Sequence, residues 1–158
     1  MKARRLAIIG VLVLAGAVAF GSVAAFGGGS GQRYSPHFAV LTGGAEIGED
    51  GKAAAGDPDG RGSATVIVHG GGKVCFAIIV TGISKPVAAH IHSGRAGSAG
   101  DVVVPLTQPA AGNPGTSSGC VSGVKASLIA AMTKDPDGFY VNVHTGDYPG
   151  GAVRGQLF

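Results

Sequence analysis

Tryptophan is missing from the 158-residue chain, cysteine and methionine occur twice each, and charge is sparse, with 12 Lys/Arg against 9 Asp/Glu. So few charged side chains exclude a coiled coil, a charged helical bundle and a charged disordered tail. The net charge of +3 comes entirely from Lys2, Arg4 and Arg5, so the remainder is neutral and offers no basic stripe to nucleic acid. Phosphate-binding loops are missing too. Lys73 is followed by Val74, and no Gly-x-Gly-x-x-Gly opens a helix. Glycine, in contrast, is plentiful at 30 residues, which points to a small, loop-rich domain.

One long apolar run occurs, at the start. Lys2, Arg4 and Arg5 precede an apolar stretch that ends in Gly21-Ser-Val-Ala-Ala25, the charged, apolar, small-residue order of an export signal cleaved after Ala25. The alternative is an uncleaved anchor, because residues 6–26 are long enough to cross a bilayer core of about 30 Å, and only then would the chain touch a membrane. Either reading places the rest outside the cytoplasm, as a secreted, periplasmic or cell-surface protein. Residues 26–36, rich in Gly and Ser, read as a flexible tether, leaving 37–158 as the folded domain. Cys75 and Cys120 both lie in that domain, where an even count in an oxidising compartment favours a disulfide.

Short apolar stretches punctuated by Gly, Pro, Asn and Asp predict strands over 38–42, 64–69, 74–81, 87–92, 102–106, 139–144 and 153–157. Seven strands in a domain this size imply an all-β antiparallel sandwich or barrel. Gly70-Gly-Gly72 joins the second and third strands as a hairpin. One short helix is expected over 125–134, with Leu128, Ile129 and Met132 on one face, stopped by Asp135-Pro136. Asp-Pro-Asp-Gly occurs at 57–60 and 135–138; neither copy continues into a calcium loop with a terminal Glu, so both read as turns.

Alternation gives the sharpest constellation. In Ala89-His-Ile-His92, His90 and His92 project from one strand face while Ala89 and Ile91 project from the other. In 139–144, Phe139, Val141 and Val143 take one face and Tyr140, Asn142 and His144 the opposite one. If the polar sides converge, His90, His92 and His144 form a ligand set for copper or zinc, the metals that imidazole suits. The competing reading is a hydrogen-bonded cluster of Tyr140, Asn142, Arg154, Gln156 and the histidines. No catalytic residue stands out: Ala96-Gly-Ser-Ala-Gly100 has the spacing of a hydrolase elbow but leads into a strand rather than a helix, so it reads as a loop.

The runs Phe38-Ala-Val-Leu-Thr-Gly43, Cys75-Phe-Ala-Ile-Ile-Val-Thr-Gly82, Ala89-His-Ile-His-Ser-Gly94, Val102-Val-Val-Pro-Leu106, Tyr140-Val-Asn-Val-His-Thr145 and Tyr148-Pro-Gly-Gly-Ala-Val-Arg-Gly-Gln-Leu157 resemble the CHRD (chordin) domain family, in its single-domain exported microbial form. The resemblance implies a Greek-key, immunoglobulin-like β-sandwich outside the cytoplasm, and carries His90, His92, Tyr140, Asn142, His144, Arg154 and Gln156 as motif residues without roles. The family usually has an acidic residue before that Arg, where this chain has Ala152. A more distant likeness, to copper-zinc superoxide dismutase, rests on the His-x-His strand, a disulfide and a late Arg; it is the source of the copper expectation. The sequence therefore leads to a non-catalytic extracytoplasmic binding or structural module of unassigned ligand or protein partner. The alternative is a copper- or zinc-binding protein, conceivably redox-active, with Arg154 steering an anion.

Overall fold

A computed structural model describes residues 33–48 and 50–158. The export signal and the first part of the tether lie outside the described residues. Among those described, no helix is long and apolar enough to cross a membrane.

Eight strands form a single sheet in which every neighbouring pair is antiparallel. They are β1 (Tyr34–Thr42), β2 (Arg61–His69), β3 (Lys73–Thr81), β4 (Pro86–Ser93), β5 (Val102–Leu106), β6 (Gly115–Ser122), β7 (Phe139–Thr145) and β8 (Val153–Gln156). Their order across the sheet is β5-β4-β7-β8-β1-β2-β3-β6. The sheet curls until its two edge strands face one another across an apolar seam lined by Val103, Val104, Val121, Val124 and Leu128, giving a nearly closed barrel.

The alternation seen in the sequence explains the curl. Ala64, Val66 and Val68 on β2 and Val74, Phe76, Ile78 and Val80 on β3 all point inward and are buried. Gly72 takes φ +78° in the hairpin between them, a conformation that side chains with a Cβ resist. Leu41, Ile91, Val104, Val141, Val143, Val153 and Leu157 complete the interior. Each such side chain contributes about 1.5–3 kcal/mol of burial. The helix α1 (Ala126–Lys134) adds Ile129 and Met132 to the same core and ends beside Asp135-Pro136.

The strands depart from the sequence expectation by four residues at the start of β1, by three at the start of β2, by single residues at several other ends, and by one added strand. Strand β1 opens at Tyr34, so the last residues assigned to the tether are in the sheet. Strand β6 is additional to the seven expected: Gly115-Thr-Ser-Ser-Gly-Cys-Val-Ser122 has no apolar alternation because, on an edge, most of its side chains meet solvent. Cys120 on β6 lies directly opposite Cys75 on β3, and the two form the expected disulfide.

Candidate functional site

Strands β4, β7 and β8 are neighbours, and their register stacks the polar residues in rows on the outside of the barrel. His92 faces Tyr140, which faces Gln156; His90 faces Asn142, which faces Arg154; Ala88 faces His144. The inward positions between them are Ala89, Ile91, Val141, Val143 and Val153, all in the core. One face of these strands therefore anchors the barrel while the other collects imidazole, amide, phenol and guanidinium groups. Outward position does not mean exposure here. Tyr140, Asn142 and Arg154 are 1–2% exposed and His92 is 8% exposed, because three connecting segments lie over them.

The histidines converge as expected: one nitrogen of each lies within 4.8 Å of the others. Their remaining nitrogens reveal the tautomers. His92 Nδ1 lies 2.9 Å from the Gly100 carbonyl, and His144 Nδ1 lies 2.9 Å from the Pro149 carbonyl. A carbonyl only accepts, so both Nδ1 atoms carry a proton, and in a neutral ring so held Nε2 is the atom with the lone pair. His144 Nε2 lies 3.2 Å from His90 Nδ1, whereas His92 Nε2 is buried and has no hydrogen-bond partner among the described residues. An ion bound at about 2.0–2.1 Å needs ligand nitrogens roughly 3–4 Å apart, a spacing the His90–His144 pair already has and that small side-chain adjustments would give a set lying within 4.8 Å. Imidazole that donates its outer N–H to a carbonyl while offering the inner nitrogen is the arrangement metal sites use to fix ligand orientation.

Electrostatics point the same way. Burial lowers the pKa of His92, and the nearby His144 and Arg154 charges add to this, outweighing the Gly100 hydrogen bond. Burial likewise lowers that of His90, helped by His144 and His92. Neutral imidazole is the form that takes a metal ion.

The Tyr140 ring is held between strands. The His92 ring stacks on it at 4.8 Å and 10° from the β4 side, and the Arg154 guanidinium lies 3.4 Å from its centroid from the β8 side. Arg154 Nη2 donates to the carbonyls of Arg95 and Ser98, at 3.0 and 2.8 Å. Of the two roles the sequence left open for Arg154, donation to backbone is the one its Nη2 makes here, with the guanidinium buried against Tyr140. Gln156 Nε2 points at the carbonyls of Gly94, Asp137 and Phe139, at 2.6–2.8 Å.

One site residue escaped the sequence reading. Glu46, 3% exposed, lies close enough to Asn142, Arg154 and His144 to feel all three, and burial raises its pKa above the usual carboxylate value. It supplies from a distant segment a carboxylate that Ala152 does not. Gly151 makes room for it: φ is +145°, and a Cβ there would collide with Glu46 Oε2 and the Asn142 amide. The only sequence signal was an acidic residue set between Ala45 and Ile47. A cleft of about 410 Å³ opens here, between Glu46, His92, Asn142, Tyr148 and Gly151. Of the buried side-chain atoms without a partner among the described residues, Glu46 Oε2, His92 Nε2, Asn142 Oδ1 and Arg154 Nη1 belong to this site, and only Ser117 Oγ lies elsewhere.

The model of the CHRD domain family matches residues 38–157, which include every residue of the site. No curated protein and no solved structure matches the chain.

Proposed function

The chain belongs to the CHRD domain family, and from that premise we propose that it is a non-catalytic extracytoplasmic binding module whose ligand is a copper or zinc ion held by His90, His92 and His144. The observation that carries this reading is the orientation of His92. Its Nδ1 faces the Gly100 carbonyl, its buried Nε2 has no hydrogen-bond partner among the described residues, and a nitrogen of its ring lies within 4.8 Å of one on each of two further imidazoles. A buried acceptor without a donor costs about 1–3 kcal/mol, a cost that an ion would reverse. An extracytoplasmic address is supported by the family, by the export-signal order of residues 1–25, and by a disulfide suited to an oxidising compartment.

A second reading, a metal-free polar cluster that binds a partner directly, is favoured by one contact. His90 Nδ1 can donate to His144 Nε2 across 3.2 Å and so satisfy that pair without an ion. Titrating the tag-free domain with zinc and with copper separates the two. The metal reading expects one equivalent bound by the parent and none by a folded His90→Ala/His92→Ala/His144→Ala variant. At a hundredfold excess over Kd, binding should stabilise the parent alone by about 2.7 kcal/mol. No uptake by either protein leaves the second reading.

A further inference from the structure

The segment between β4 and β5, residues 94–100, carries the spacing of a hydrolase elbow yet contains no helix. Its surroundings give it another use. Gln156 reaches its first residue at the Gly94 carbonyl, and Arg154 reaches its middle at the Arg95 and Ser98 carbonyls. Tyr140 holds its end, the phenol oxygen accepting the Gly100 N–H at 3.2 Å. The same Gly100 then accepts the His92 Nδ1 proton through its carbonyl. The peptide that orients the histidine is thus fastened by the three side chains that share its face of the sheet, Tyr140 on β7 and Arg154 and Gln156 on β8.

An exposed ion pair between Arg95 and Asp135 also crosses from this loop, at 2.5 Å. Being mostly in solvent it contributes little. The buried contacts set the loop's position, and they spend three motif side chains on backbone carbonyls and one amide rather than on any ligand.

We propose that Arg154, Gln156 and Tyr140 are positioning residues: they clamp the 94–100 loop so that the Gly100 carbonyl holds His92 as its Nδ1–H tautomer with Nε2 directed at the ion. This rests on the metal reading for its purpose but not for its test. The tautomer is read in the metal-free protein, from imidazole ¹⁵N chemical shifts above neutral pH, with His144 as an internal control because its Pro149 partner lies outside the clamp.

Gln156→Glu keeps size and packing but turns a donor into an acceptor facing three carbonyls. His92 should lose its single-tautomer signature while His144 keeps its own, and zinc affinity should fall about 10- to 100-fold. Tyr140→Phe removes only the hydroxyl; it should shift the His92 tautomer in the same direction by less, and it decides the matter if Gln156→Glu does not fold. A variant that folds, with an unchanged His92 tautomer, overturns the positioning role whatever happens to zinc. Failure of the parent to take up zinc or copper, with the tautomer shift observed, overturns the metal reading and leaves the clamp standing.

Discussion

The two halves of the barrel share one interior and differ on the outside. Strand β3 is buried at every second residue and open between them, as a sheet with one wet face should be. Strand β7 is buried at all positions except half-buried His144. The first half leaves Phe38, Val40 and Ile79 49–65% exposed on its outer surface, whereas the second hides an arginine, an asparagine and a tyrosine under loops. A covered polar face costs more to build than a bare apolar one, because each buried donor and acceptor needs a partner. That expense is concentrated where four partnerless atoms also gather. The inner face makes the fold, and the covered outer face marks where binding is to be sought.

The largest effect should come from the bare half. Replacing Cys75 and Cys120 together by Ala opens a 45-residue separation and should cost about 4 kcal/mol, seen in urea unfolding. Zinc uptake should persist under conditions where the variant is folded; its loss there would show that the halves are not independent.

Next comes a matched pair of outward positions. Arg154→Met strands the Arg95 and Ser98 carbonyls and the Tyr140 face, and should destabilise by about 3 kcal/mol. Val40→Thr, at a position 65% exposed, should stay within about 0.5 kcal/mol. Equal costs would erase the distinction between the two faces.

The smallest effect is acid sensitivity. His90 and His92 have folded pKa values below the usual 6.5, so the unfolded chain binds more protons there. Their stability contribution is complete above about pH 6.5 and declines as pH falls through it toward the folded values. Glu46 acts oppositely: its raised pKa penalises the fold above the usual carboxylate range and relaxes on acidification. Unfolding midpoints from pH 8 to pH 5 should fall less steeply in His90→Gln/His92→Gln than in the parent. An identical slope would place the acid sensitivity elsewhere, His37 being the other buried histidine with a lowered value.

What the sequence revealed follows the same division. Strands β2 and β3 were legible as apolar stretches between turn residues, and alternation on β4 and β7 put His90 and His92 on one face of a strand and His144 on the polar face of another. Strand β6 was hidden because an edge strand of Ser, Thr and Gly has no apolar face to betray it. Glu46 and the 94–100 loop were hidden for a different reason. Their importance lies in contacts across long stretches of chain, 56 positions between Arg154 and Ser98 and 96 between Glu46 and Asn142, and no local period encodes those. Arg154 was found with two roles open, a donor to backbone or a guide for an anion, and the residue type alone could not show which carbonyls its Nη2 would meet.

The disulfide joins β3 to β6, while the histidines stand on β4 and β7, with β8, β1 and β2 intervening along the sheet. On the proposed metal reading, thiol oxidation and ion capture would touch separate strands, so neither step would wait on the other. Under that reading, shortage of oxidant and shortage of metal would leave half-finished molecules of two distinct kinds, each completed later by the missing ingredient alone.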